Sequence, residues 1–235
     1  MKAARSAPER HRQGEAFDWV TRALARAGVM PASDAEAAVR AGRVQLNGRT
    51  VTQPMTFVRP GDEVRVDGRV VSLTTPTLVL MFHKPAGVVT SSQDPEGKGT
   101  VFERLQAVLP PELQRYGWHA VGRLDRDTTG LLLFTNDEKV VQHVTSPQTH
   151  LPKRYVAVVG SRADDAKLEP LRKGIQLHDG AARPARARVL EDGRVELIIT
   201  EGRHHQVKRM LGEVGLPVTQ LHRTAVGRLE LDVPE

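Results

Sequence analysis

The sequence predicts an α+β chain in two parts, a small helix-and-hairpin unit followed by a larger domain of strands and helices. Three observations carry this. At 235 residues and 39% hydrophobic, the chain fills a packed core and has room for two unequal domains. Segments with strand character outnumber helical ones and do not alternate with them as βαβ units would. A Thr-Thr-Pro-Thr stretch, 74–77, interrupts the periodicity and marks a linker. The expected divisions are an arm over 1–16, a small unit over 17–73, the linker, and a domain over 78–235.

Composition removes several classes of function. With no Cys, a disulfide scaffold, a Cys nucleophile, an iron–sulfur cluster and a Cys-ligated zinc site are excluded. The longest apolar runs, such as Leu78 to Phe82, are too short to span a bilayer. Met1 to Glu15 is polar and has no apolar segment of a secretory signal. A cytoplasmic protein with no membrane partner is expected. Lys and Arg exceed Asp and Glu by 34 to 28, a formal charge of +6. That favours a polyanionic partner, because each neutralised phosphate releases a condensed counterion.

Within the small unit, Phe17, Val20, Leu24 and Ala27 recur at helical spacing, and Gly28 supplies a stop. Ser33 to Glu36 has the form of a capping box for a second helix that carries Ala38 and Val39 and ends at Gly42. Asn47-Gly48 between Val44–Leu46 and Thr50-Val51 is a strong hairpin signal. Pro60-Gly61-Asp62 turns the chain into Val64–Val66, and Asp67-Gly68 returns it to Val70-Val71.

In the larger domain Leu78–Phe82 reads as a strand ended by His83-Lys84-Pro85, where Lys84 and Pro85 form a turn. Val101–Val108 is a helix stopped by Pro110-Pro111. Leu131–Thr135 is a buried strand, and Asn136 is placed to cap the helix holding Val140, Val141 and Val144. Tyr155–Val159 and Val195–Thr200 are strands, and Val207–Val214 is a helix that begins near Arg203 and is ended by Gly215.

The segment richest in chemistry is Gly122-Arg123-Leu124-Asp125-Arg126-Asp127-Thr128-Thr129-Gly130, between two apolar strands. A carboxylate delivered there lies at the edge of a low-dielectric core and needs a cationic partner. A salt-bridged loop is the plain reading. Asp125 with Asp127 as a glycosidase pair, a metal site, and a lone carboxylate nucleophile are the chemical ones. Adjacent His204 and His205 point apart and find no third ligand at suitable spacing, so surface or RNA-facing roles are expected and no metal site is assigned.

Two resemblances narrow these readings. AGVMPASDAEAAVRAGRVQLNGRTV with RPGDEVRVDG resembles the S4 domain, a small RNA-binding module. The resemblance implies RNA contact by Arg22, Arg26, Arg40, Arg43 and Arg49. GRLDRDTTGLLLFTND resembles the signature of the pseudouridine synthases, in the RsuA branch of ribosomal RNA enzymes. HKPAGVVTSSQDPEG, TSPQTHLPKRYVAVV, KGIQL, ITEGRHHQVKRML and LHRTAVG extend the match over nearly all of 78–231.

This second resemblance implies a mostly antiparallel sheet flanked by helices, a cleft active site, and no cofactor. It makes Asp125 the catalytic aspartate, Lys208 the cation that orients it, with Arg209 as the fallback, and Tyr155 the ring against the target base. Arg123 then helps displace the nucleotide, a cation offsetting part of the few kcal/mol of extrusion, and Arg209 joins it on the RNA-binding side. The substrate implied is ribosomal RNA or a ribosome-assembly intermediate, with 16S RNA favoured by GRHHQVKRM, KGIQLH and LHR. A monomer is expected. The alternatives are a 23S RNA synthase and a non-catalytic S4-type RNA-binding or ribosome-assembly protein.

Overall fold

The structure, a computed structural model, describes residues 18–74, 77–94, 97 and 99–231. The arm over 1–16, and Phe17 with it, lie outside the described residues. The chain divides into two compact units, one within 1–76 together with Pro111–Gly117, the other within 77–110 and 118–235.

The first unit opens with β1 (Asp18–Trp19), α1 (Val20–Arg26) and α2 (Ala32–Arg40). Val20, Ala23 and Leu24 of α1 meet Ala35, Ala38 and Val39 of α2, all essentially buried. The predicted capping box at Ser33 does not form. Pro31 is the N-cap of α2, so Ser33 lies inside the first turn, where its hydroxyl donates to the Asp34 carboxylate at 3.3 Å. Next come β2 (Val44–Leu46), β3 (Arg49–Val51), β4 (Phe57–Val58), β5 (Val64–Val66) and β6 (Arg69–Val71). Four of them form a sheet in the order β3-β2-β5-β6, and β4 pairs β1. Both tight hairpins have two residues at positive φ, Asn47-Gly48 at 50° and 77° and Asp67-Gly68 at 50° and 78°. These are the residue pairs such turns select. Pro111–Gly117, which the sequence places in the larger domain, clusters here. Arg115 and Tyr116 pack so closely on Gly28 that a Cβ there would lie 3.0 to 3.1 Å from them.

The second unit runs through β7 (Val79–Lys84) and α3 (Val101–Val108), leaves by the single turn α4 (Pro111–Gln114), and resumes with β8 (His119–Val121) and β9 (Thr129–Thr135). Then follow α5 (Glu138–Thr145), the 3₁₀ turn Pro147–Thr149, β10 (Lys153–Val159), α6 (Asp165–Lys173), β11 (Gln176–Leu177), β12 (Gly180–Ala181), β13 (Arg186–Val189), β14 (Val195–Ile199), α7 (Gln206–Glu213), β15 (Val218–Val226) and β16 (Leu229–Glu230). The capping box expected at Ser33 occurs instead at Thr100 and Glu103, ahead of α3. Asn136 does not cap α5. Asp137 does, while Asn136 Oδ1 accepts the Leu78 N–H at 2.8 Å and ties β7 to the end of β9. Helix α7 starts at Gln206, three residues after Arg203, with His205 at φ 51° as its N-cap.

The main sheet has the order β13-β14-β10-β15-β9-β7, with β16 on β15 and β8 on β9. All pairs are antiparallel except one. β9 and β15 meet in parallel over two residue pairs, His222 with Thr129 and Arg223 with Gly130. This short seam joins two antiparallel halves, and the loop 122–130 runs directly into it. β9 is buried on both faces: Leu131, Leu132 and Phe134 are 0% exposed. Burying each is worth about 1.5–3 kcal/mol, so the strand that follows the loop is firmly fixed. Among the described residues no helix is long and apolar enough to cross a membrane.

Candidate active site

Two glycines bound the loop between β8 and β9. Gly122 has φ 78° and Gly130 φ 105°, and a Cβ on Gly130 would sit 2.3 Å from the Arg223 carbonyl oxygen. Only glycine lets the seam close and the loop turn away from it. Three further contacts fix the loop. Thr90 Oγ1 donates to the Leu124 carbonyl at 2.9 Å, and the Gly87 N–H donates to the Arg126 carbonyl at 2.8 Å. Lys84, the last residue of β7 and fully buried, donates from Nζ to the carbonyls of Pro85, Arg126 and Thr128 at 2.9, 3.1 and 2.8 Å. Burial lowers the Lys84 ammonium to a pKa of about 8, against the opposing pull of Asp127 and Asp125.

Held in this way, Asp125 enters a cavity of about 890 Å3 lined also by Arg123, Tyr155, His205, Lys208 and Arg223. Its side chain is 26% exposed, and each carboxylate oxygen faces a cationic or donor group. His205 Nε2 lies 3.3 Å from Oδ1, and Lys208 Nζ lies 3.5 Å from Oδ2. Tyr155 stands on β10, 8% exposed, cross-strand from Arg223 on one side and Leu197 on the other. The site thus presents an acceptor-only carboxylate, two groups that can stabilise its charge, and an aromatic ring in a partly closed space. That is the equipment for nucleophilic attack beside a planar ring.

Comparison with known proteins identifies the family. The family model for RNA pseudouridylate synthase matches residues 78–213, and the S4 domain model matches residues 21–64. The chain belongs to the RNA pseudouridylate synthase family. "Ribosomal large subunit pseudouridine synthase B" of Shigella flexneri is 36% identical over 220 residues, covering 88% of this chain and 73% of that protein. "Ribosomal small subunit pseudouridine synthase A" of Yersinia pestis is 37% identical over 196 residues, covering 83% and 81%. A solved structure described as "Crystal structure of pseudouridylate synthase" aligns with a TM-score of 0.61 at 30% identity, covering 91% and 90%.

The synthase brings Asp125, Lys208, Tyr155 and Arg123 to one cavity. Lys208 is not devoted to Asp125, however. Its Nζ donates to Asp127 at 2.6 and 2.8 Å, and this bond is the main reason the Asp127 carboxyl lies below its ordinary range. Arg209 faces away from the cavity, onto Asp179 at 2.9 Å and His178 at 2.9 Å. Neighbouring helical residues point about 100° apart, so only Lys208 reaches the aspartates. Arg209 makes an internal tie there and holds Asp179 down at a pKa of about 2.

In the S4 unit of the synthase, the arginines are exposed or half-buried and mostly engaged locally. Arg26 pairs with Asp18 at 2.9 Å, Arg40 with Glu36 at 2.7 Å and Arg43 with Asp67 at 2.5 Å. Arg22 lies over the Trp19 ring at 4.4 Å, and Arg49 is exposed on β3. The exposed pairs of Arg40 and Arg43 are worth little to stability.

Sequence reasoning misses three residues. It places Lys84 in a turn, although a lysine closing an apolar strand is a signal for a buried donor. His205 is exposed, as a surface role requires, but its contact with Asp125 is not foreseen, because the left-handed backbone that brings the ring there leaves no mark in sequence. Arg223 lies in a family motif without a role of its own. It is 3% exposed and donates from Nε to the Leu131 carbonyl at 2.7 Å. Among the described residues no group of three His, Cys, Asp or Glu is arranged to hold a metal.

Proposed function

We propose that this protein isomerises uridine to pseudouridine in ribosomal RNA, with Asp125 as nucleophile, Tyr155 stacking on the extruded base and Lys208 with His205 orienting the carboxylate. The observation that carries the reading is the position of Asp125, whose two oxygens meet His205 and Lys208 at 3.3 and 3.5 Å inside a nucleotide-sized cavity. Removing a base from its stack costs a few kcal/mol, and base–aromatic stacking returns about 1–3 kcal/mol. Arg123, which lines the same cavity, takes the vacated position in this reading. The S4 unit supplies phosphate contacts through Arg22, Arg26, Arg40, Arg43 and Arg49, and ribosomal RNA, free or in an assembly intermediate, is the partner.

The motifs GRHHQVKRM, KGIQLH and LHR support the small-subunit RNA, as does the 37% identity to the Yersinia pestis protein. The 36% identity over 88% of the chain to the Shigella flexneri protein supports the large-subunit RNA as the second reading. Pseudouridine mapping of 16S and 23S RNA from cells with and without this protein decides between them. One uridine is expected to lose its modification, to regain it with the wild-type protein and not with Asp125→Asn, while RNA affinity of the variant stays within a few-fold. Restoration by Asp125→Asn overturns the nucleophile, and an unchanged map overturns the reading.

A further inference from the structure

The floor of the cavity holds two cations that the reaction as described does not use. Lys153 and Tyr155 are two residues apart on β10, so they share a face of the sheet. Arg223 is the cross-strand neighbour of Tyr155, and all three line the cavity with Asp125. Neither cation has an acidic partner: among the described residues no carboxylate lies within 4.0 Å of the Lys153 ammonium or the Arg223 guanidinium. Lys153 Nζ reaches only the Leu151 carbonyl at 3.3 Å. Arg223 donates from Nε to Leu131 and, at 3.5 Å, from Nη1 to the Arg123 carbonyl, while its Nη2 is buried with no hydrogen-bond partner among the described residues.

A desolvated cation with an unused donor is costly, and proteins keep one where a ligand completes it. The two cations also burden each other. Burial first, and then the charge of Arg223, hold the Lys153 ammonium below the usual lysine range. An anion between them relieves both penalties.

We propose that Lys153 and Arg223 form an oxyanion site for the base itself, taking the carbonyl oxygens of the uracil that stacks on Tyr155. The inference rests on the proposed isomerisation. When the C1′–N1 bond breaks, its electron pair stays with the base, which becomes a pyrimidinedione anion with charge spread over N1, O2 and O4. C1′ takes a carboxylate oxygen of Asp125. On rejoining, C5 supplies the pair for the new bond to C1′ and the carboxylate leaves with its own. C5 then gives its proton to water and N1 takes one from water, so nothing is consumed. Preorganised cations on the oxygens favour the broken state over the starting nucleotide, in which the base is neutral. Lys and Arg only donate hydrogen bonds, so the same pair accepts the oxygen of uracil at position 4 and opposes the amino group that cytosine carries there.

The test uses the full chain and ribosomal RNA purified from cells lacking it. Lys153→Met, Lys153→Arg and Arg223→Lys are compared with wild type for RNA affinity at several salt concentrations and for single-turnover isomerisation. The expected result is a rate about 10²-fold lower in Lys153→Met and Arg223→Lys, affinity within about three-fold, and recovery of most of the rate in Lys153→Arg. Lys153 is half-buried and makes little internal structure, so its variant keeps the test valid if Arg223→Lys is unstable. A fall in affinity with a shallower salt dependence assigns the pair to phosphate and overturns the base-anion site. Unchanged rate and affinity in Lys153→Met overturn it as well. Absence of turnover by the wild type sinks the isomerase reading and this inference together, whereas wild-type turnover with indifferent variants sinks the inference alone.

Discussion

Lys208 Nζ lies 2.6 Å from Asp127 Oδ1 but 3.5 Å from Asp125 Oδ2, so the exposed acid of the loop holds the lysine more tightly than the acid in the cavity does. Asp127 is 74% exposed and anchors the cation from the solvent side. An ammonium tethered in this way stabilises Asp125 by charge without neutralising it as a nucleophile. Removing the cation and removing its tether therefore have different outcomes. Lys208→Met is expected to lower the isomerisation rate by about 10²–10³-fold, the range for loss of one preorganised charge. Asp127→Asn leaves Lys208 free to close on Asp125, and a change of under about ten-fold is expected. Single-turnover rates of the two variants check this, and equal losses contradict the tether.

Gly130 tests the seam. Its φ is 105°, and an added Cβ would come within 2.3 Å of the Arg223 carbonyl oxygen, so no side chain has a place there. Gly130→Ala must part β9 from β15 or twist the loop, at a cost of about 1–3 kcal/mol for backbone strain alone. A clear fall in urea midpoint is expected, with loss of activity even at temperatures where the variant is folded. Gly48→Ala, with φ 77° in an exposed hairpin and no atom within 4 Å of the added Cβ, is the control. It carries the strain without the clash, so a similar loss in both variants removes the seam argument.

Local chemistry makes much of this fold legible. Asn47-Gly48 and Asp67-Gly68 require the turns they form, and Val101–Val108 is bounded as a helix by Thr100 and Pro110. The caps are harder. Ser33 and Asn136 both match N-cap preferences, yet Pro31 begins α2 earlier and Asn136 is taken by Leu78, 58 residues away in sequence. At the site, the loop 122–130 is conspicuous as charge between apolar strands, but it is the resemblance to the synthase signature that singles out Asp125 within it. The parallel seam is not legible, because pairing Gly130 with Arg223 joins residues far apart in the chain. With the seam hidden, nothing in the sequence places Arg223 beside Tyr155, or separates Lys208 from Arg209 by partner.

The S4 arginines yield a prediction about salt. Arg40 and Arg43 must each leave a carboxylate to meet phosphate, whereas Arg49 is exposed on β3. Each phosphate neutralised contributes about 0.9 to the slope of log affinity against log salt on duplex nucleic acid, and about 0.7 on single strands. Arg49→Ala is expected to reduce that slope by up to about one for ribosomal RNA while the single-turnover rate at saturating protein stays as in wild type. A slope unaltered in Arg49→Ala, Arg40→Ala and Arg43→Ala alike argues against RNA contact on this face.

Lys84 connects stability to pH with a definite sign. Its folded pKa is about 8, against 10.5 for the ordinary lysine, and burial is the main cause. Between those values the unfolded chain binds more protons than the folded one, so stability attributable to this group rises with pH. The penalty for keeping the ammonium buried is fully present below about pH 8 and is relieved as pH approaches 10.5. The two and a half units between them correspond to about 3 kcal/mol at most. Lys84→Met has no such proton to lose, but it strands the carbonyls of Pro85 and Thr128, while that of Arg126 keeps the Gly87 N–H. Each buried group left unpaired costs about 1–3 kcal/mol. The variant is therefore expected to be less stable than wild type, with a gap that widens from pH 8 to pH 10.5 and is flat between pH 6 and pH 7.5. Urea unfolding across that range measures the gap directly. A gap that narrows as the solution becomes more alkaline means that the ammonium is stabilised by the nearby aspartates rather than penalised by burial. Lys84 would then belong to the charge network of the cavity instead of serving as the pin beneath the loop that carries Asp125.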